Sequence, residues 1–282
     1  AVTYMNALTQ IVLEHNPESK YILESVKDMR VFMEGGKKEL ITKEKKNQVD
    51  DMEKNRWLPW EEIWKVFDIF SEKLEKELAV VEKVYLGSHL YYRMQQRLLF
   101  AMYIFHVPLR LDFGNVILPP FTELWMKTIS EETPKRNYVY LDDCQRMIFH
   151  LGKDKVSKGR EDSEFELAPI IVDFLIQMMQ KLYHLHTPRK YLLTNVCSLL
   201  KPLEEDDCVQ KNDTKKMLAA IPVEGVSEAY AHVSHLSVDS FRSSKATHEL
   251  NQVISYEDKE LLAKQMRTSV NMLEIAYRKV DK

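Results

Sequence analysis

The apolar residues of this chain change period along its length, and that change limits the class of fold open to it. Residues 60–85 and 88–106 read as helices, the second ending before Pro108 because a residue that precedes proline is pushed out of helical geometry. The period then shortens. Asn137-Tyr-Val-Tyr-Leu-Asp-Asp143, Arg146-Met-Ile-Phe-His-Leu151 and Ser163-Glu-Phe-Glu-Leu-Ala-Pro169 are short alternating or aromatic segments of the kind that lie half-buried in a sheet. Together they predict a small antiparallel sheet. Helix returns over 170–185, the polar stretch 201–216 reads as an exposed loop, and the chain beyond residue 237 reads as helical again. Ser255-Tyr-Glu-Asp258 matches a capping box ahead of that last apolar-periodic segment. The expected class is α+β, mainly α, with one small antiparallel sheet.

Ahead of this body, Ile11, Val12, Ile22, Val26 and Met29 recur at helical spacing with Pro17 interrupting, which predicts two short helices between Val2 and Phe32. Residues 35–54 are polar and lysine-rich after two adjacent glycines, as suits a linker that contains a charged helix. Arg56-Trp57-Leu58-Pro59-Trp60-Glu61-Glu62 then opens a new domain: the proline fits a first helical turn, and the acids favour the positive end of the helix dipole. The expected division is a partial helical unit with linker over 1–54 and a main domain over 55–282. The Trp57, Trp60 and Trp64 cluster is expected in its core.

Composition narrows the functions. The chain has 282 residues, 45% apolar and 29% charged, enough for one large core or two modest ones. With 7 glycines and no uncharged apolar run of about 18 residues, neither a glycine-built nucleotide site nor a membrane span is indicated. No basic, apolar targeting stretch opens the sequence, and an intracellular protein is expected. Cys144, Cys197 and Cys208 are odd in number and far apart, so neither a disulfide nor a structural zinc is expected. His232-x-x-His235 has a metal-compatible spacing, but no thiol or carboxylate pattern completes it. The formal charge of −3 argues against nucleic-acid binding, yet Lys135-Arg136 and the run Lys153, Lys155, Lys158, Arg160 form local basic patches. Each patch, taken alone, reads first as a solvated face and only in concert with other features as a phosphate contact.

Four segments, in order, resemble those of the tyrosine recombinases. Leu98-Leu-Phe-Ala-Met-Tyr-Ile-Phe-His-Val-Pro-Leu-Arg110-Leu-Asp112 resembles the helix and turn that present the family's first catalytic arginine. Phe149-His-Leu-Gly-Lys-Asp-Lys155-Val-Ser-Lys158 with Phe165-Glu-Leu-Ala-Pro169 resembles the strand pair whose connection carries the catalytic lysine. Ser240-Phe-Arg242-Ser-Ser-Lys-Ala-Thr247 resembles the segment with the second arginine. Leu262-Ala-Lys-Gln-Met-Arg-Thr268-Ser269 followed by Tyr277-Arg-Lys-Val280 resembles the glycine-histidine-serine turn and nucleophile helix, Tyr277 standing nine positions after Thr268. The Trp-Leu-Pro-Trp-Glu-Glu opening and the lysine hairpin are most similar to the Crypton-like recombinases of eukaryotic mobile elements and those of large DNA viruses.

The resemblance implies a site-specific DNA strand transferase acting through a covalent 3′-phosphotyrosine. It implies Tyr277 as nucleophile, Arg110 and Arg242 as the phosphate clamp, and Lys155 as general acid, with Lys153 and Lys158 remaining alternatives. Arginine grips phosphate through two donors, and a lysine can protonate a departing alkoxide. The implied partners are double-stranded DNA and a homo-tetramer on two duplexes, nuclear if the host is eukaryotic, with no metal or nucleotide cofactor and no membrane. Two positions depart from the pattern. Asp239 stands where the family has histidine or lysine, and Thr268 where it has histidine or tryptophan; threonine donates a hydrogen bond but does not accept a proton near neutral pH. If residues 234–242 are helical, His235, Asp239 and Arg242 share one face and His235 replaces the missing group. The alternatives are a recombinase-fold DNA-binding protein impaired in cleavage, and a helical interaction module without DNA.

Overall fold

The computed structural model describes residues 55–80, 88–109, 113–114, 116–117, 137–152, 163–183, 191–194, 211–252 and 254–279. Contacts divide the chain into Ala1–Gln48 with Val280–Lys282, and Val49–Lys279. The elements described belong to the second unit. The two short helices expected between Val2 and Phe32 lie outside the described residues.

Helix α1 (Trp60–Val80) begins just after Pro59, which has no N–H to leave unpaired and whose carbonyl accepts from the amides of Glu62 and Ile63, both at 3.1 Å. Its buried stripe of Trp60, Ile63, Val66, Phe67, Phe70, Leu74 and Leu78 follows the helical period and packs on α2 (Ser88–Phe105). Helix α2 is the central element. From Leu98 to Tyr103 every side chain is fully buried, so this half of the helix is covered on all sides. The cover comes from α1, from α3 (Pro169–Tyr183) and from α4 (Lys211–Ala219). As expected, Trp57 and Trp60 are buried, and Trp64 packs its edge on Phe67 and Phe105.

Helix α4 corrects the sequence reading, which had an exposed loop over 201–216. Residues 201–210 lie outside the described ones, but Lys211–Ala219 is helical and buries Thr214, Met217 and Leu218. Those three occupy i, i+3 and i+4, so a mostly polar segment still has one apolar face to dock, and Gln96 of α2 donates to its Met217 carbonyl at 2.8 Å.

Strands β1 (Tyr138–Leu141), β2 (Met147–Leu151) and β3 (Ser163–Glu166) form the expected antiparallel sheet in the order β1-β2-β3. Register Val139↔Phe149↔Phe165 puts one face into the core, where Phe149 and Phe165 stack at 5.0 Å. The opposite face carries Tyr138, His150 and Glu164, with the Tyr138 and His150 rings stacked at 4.3 Å. The domain is thus mainly helical with a small sheet. Its last part comprises α5 (Val238–Asn251), α6 (Tyr256–Gln265) and α7 (Val270–Met272), which runs into a widened turn over Leu273–Tyr277. The capping box expected at Ser255 is present, with Asp258 as its second member.

Close behind α2, His106 joins helix, sheet and α3. Its Nε2 accepts from the Ala168 amide at 3.2 Å, and its ring lies 4.7 Å from that of Phe165. Burial pushes its pKa from 6.5 down to about 4. The folded state therefore holds His106 neutral where the unfolded chain takes up a proton. The resulting stability is complete above pH ~6.5, is lost as pH falls toward ~4, and amounts to about 3 kcal/mol across that window. His106→Gln keeps an acceptor for Ala168 and does not titrate. Urea unfolding at pH 7 and pH 4.5 is expected to show a smaller loss of stability for His106→Gln than for the wild type; equal losses would remove His106 as the cause.

Candidate functional site

Helix α5 is set by its serines. Ser237 caps its N-terminus, accepting from the Ser240 amide while the Ser240 side chain answers the Ser237 amide. Beyond the cap, Ser240, Ser243, Ser244 and Thr247 are buried with Arg242, and Ser244 donates to the Leu58 carbonyl. Small polar side chains let neighbouring backbone come close. Into that space runs Arg242, whose side chain is fully buried. Its Nη1 donates to the Pro108 carbonyl at 2.7 Å and its Nη2 to the Met266 carbonyl at 2.9 Å. The guanidinium carbon lies 4.7 Å from the centre of the Tyr277 ring, within cation–π range. Nε is buried without a hydrogen-bond partner among the described residues.

Tyr277 is held on both sides along the chain. Before it, the turn over Leu273–Tyr277 closes through an i→i+5 bond from Arg278 N to the Leu273 carbonyl at 3.0 Å. Such widened turns cost helical regularity and concentrate at functional positions. After it, the Lys279 amide donates to Thr247 Oγ1 at 2.8 Å, and Thr247 Oγ1 donates to the Tyr277 carbonyl at 3.4 Å. The half-buried ring packs against a small cluster that includes Ala246, Leu250, Leu262, Ala263, Met266 and Leu273.

The turn between α6 and α7 completes the arrangement. Arg267 N donates to the Lys264 carbonyl at 3.0 Å and Thr268 N to the Ala263 carbonyl at 2.9 Å, the paired bonds of a Schellman ending, with Arg267 at φ 50°. The Arg267 guanidinium reaches back to the end of β2, donating to the carbonyls of Leu151 at 3.2 Å and Gly152 at 3.4 Å. Through these bonds the end of α2, the end of β2, α5 and the Tyr277 segment meet in one place. A buried guanidinium against a half-buried phenol can hold the ring and present positive charge to an anion.

Of the residues expected from the sequence, Arg242 and Tyr277 are brought together, and Thr268 is half-buried in the adjoining turn. Arg110 and Lys155, with its neighbours Lys153 and Lys158, lie outside the described residues; the chain on their near sides is anchored at Pro108 and Gly152. Asp239 is exposed in the first turn of α5, where its charge suits the helix N-terminus, while Arg242 is fully buried. His235 requires a correction. The helix starts at Val238, so His235 precedes the Ser237 cap and does not share a helical face with Asp239 and Arg242. Its Nδ1 instead lies 3.0 Å from Ser234 Oγ. Arg267 was missed, because nothing in the apolar pattern marks a left-handed position. No protein-family model matches the chain, and no curated protein matches it significantly.

Truncating Arg242 would leave the Pro108 and Met266 carbonyls without these donors in a buried place. Arg242→Ala is expected to cost about 3 kcal/mol, whereas Asp239→Asn, on the exposed first turn, stays within roughly 1 kcal/mol. Chemical denaturation of the two variants beside the wild type checks the contrast, and similar losses for both would contradict it.

Proposed function

We propose that this chain is a tyrosine-type DNA strand transferase. The reading is carried by one observation: the buried Arg242 touches the Tyr277 ring and bonds the backbone of both the Pro108 and the Met266 turns. Three of the four segments singled out in sequence therefore converge on a single guanidinium, and Arg267 ties the fourth beside them.

In the proposed reaction the Tyr277 oxygen gives up its phenolic proton to solvent water and attacks a DNA phosphorus as the bond to the 5′-oxygen breaks. The leaving oxygen takes a proton from a lysine, for which Lys155 is proposed with Lys153 and Lys158 as alternatives. Arg110 and Arg242 supply positive charge to the non-bridging oxygens, and Thr268 supplies a hydroxyl donor. Reversal by a free 5′-hydroxyl restores the phosphodiester, so the phosphotyrosine conserves the bond and no nucleotide is consumed. We propose double-stranded DNA as partner, four protomers on two duplexes as the working assembly, and a nuclear site if the host is eukaryotic.

A second reading, DNA binding with impaired cleavage, draws on a specific feature. Both Nη atoms of Arg242 are engaged by backbone carbonyls, and by the resemblance Asp239 stands where histidine or lysine is common and Thr268 where histidine or tryptophan is. The two readings part in one assay with a nicked duplex designed to trap the covalent intermediate. Strand transfer predicts a denaturant-resistant adduct with the wild type that Tyr277→Phe abolishes, with DNA affinity and stability nearly unchanged because the ring still covers Arg242. Salt-dependent binding without any adduct supports the second reading. An adduct that survives Tyr277→Phe identifies another nucleophile.

A further inference from the structure

We propose that Arg267 is a positioning residue: its guanidinium fastens the end of β2 to the turn that leads into Tyr277, and an unfavourable backbone is retained there to keep that tie. That the tie serves strand cleavage rests on the function proposed above; the tie itself does not.

The backbone makes the first part of the case. Arg267 occupies the left-handed position of the Schellman ending of α6, at φ 50°. Glycine holds that conformation without a Cβ clash, and asparagine tolerates it; a long side chain is disfavoured. Arginine at such a place adds nothing to the helix ending itself, whose bonds run through the backbone. What it adds lies at its far end. Leu151 and Gly152 close β2, and their two carbonyls both accept from Arg267. The Gly152 amide is meanwhile held by Asn137 Oδ1 at 3.1 Å, so the strand end is fixed from two directions.

Connectivity makes the second part. The residue before Arg267 is Met266, whose carbonyl is bound by Arg242, and Tyr277 lies over that same arginine. Sheet end, α5 and the Tyr277 segment are thereby joined through a single turn of chain. A planar guanidinium can bond two carbonyls at once; an ammonium presents its donors from one point. A simpler role as a cation near the C-terminus of α6 would need only the charge. The two roles predict different behaviour of lysine.

The experiment compares Arg267→Gly and Arg267→Lys with the wild type by thermal melting, amide hydrogen exchange, and single-turnover adduct formation on the nicked trap duplex with DNA affinity measured alongside. Arg267→Gly removes strain and tie together, so it is expected to melt close to the wild-type temperature. Its amides at Leu151 and Gly152 are expected to exchange roughly 10-fold faster or more, while those of Leu262 and Met266 keep their protection. Adduct formation is expected to slow by about 10- to 100-fold at unchanged DNA affinity, with Arg267→Lys recovering only part of the rate. Unchanged exchange at the β2 end in folded Arg267→Gly overturns the tie, and so does an Arg267→Lys variant that equals wild type in exchange and rate. A wild-type adduct rate in Arg267→Gly overturns its positioning role. If the wild type itself forms no adduct, the strand-transfer reading fails, and the exchange comparison still decides whether the tie exists.

Discussion

One buried guanidinium organises the end of this fold. Arg242 has no exposure, and burying such a group is costly unless its donors are satisfied and its charge meets polarisable surface. The fold answers with two carbonyls and an aromatic face, each from a different stretch of chain. Because those stretches come from residues 108, 266 and 277, satisfying one side chain fixes the relative placement of segments far apart in sequence. The serine-rich face of α5 is the other half of this arrangement, since bulkier side chains would hold the Leu58 and Thr247 contacts apart.

A second arginine solves the same problem elsewhere by different means. Arg97 lies on α2 just ahead of its fully covered half and is itself fully buried, so its partners come from the surrounding helices. Glu75 of α1 and Gln177 of α3 bind its guanidinium, and the Phe174 ring lies 4.1 Å beneath it. Burial pulls its pKa down, and the Glu75 carboxylate works against that pull. Three helices are thus pinned at one polar point, with the buried guanidinium reaching a half-exposed carboxylate at the edge of the apolar layer, which specifies their register more sharply than dispersion alone.

The helices and the sheet were legible in sequence because their signals are periodic and local. The Phe149 and Phe165 alternation and the stop before Pro108 each follow from one dominant constraint. Helix α4 was not legible: lysine, asparagine and aspartate outnumber its three buried positions, and only the presence of α2 beside it gives them value. At the candidate site, the order of Arg242, Thr268 and Tyr277 was readable, but the start of α5 was not. Ser237 and Ser240 form a reciprocal cap, and that local bond makes the helix begin at Val238, three residues beyond His235. Arg267 escaped for a different reason. Its backbone is set by the end of α6 and its side chain by a strand more than a hundred residues earlier, and neither leaves a trace in residue pattern.

The restraints on both sides of Tyr277 leave its phenol few degrees of freedom. With the preceding turn closed on Leu273, and the Tyr277 carbonyl and the Lys279 amide both held by Thr247, the backbone there acts as a fixed mount about which the ring turns on its own two torsions. The oxygen at its tip can sweep an arc but cannot travel. Under the strand-transfer reaction proposed above, a phosphate must therefore arrive on a defined line of approach, and the way it is delivered to this mount decides which atom reacts. In that proposed reaction, reach becomes the quantity that separates a productive encounter from an idle one.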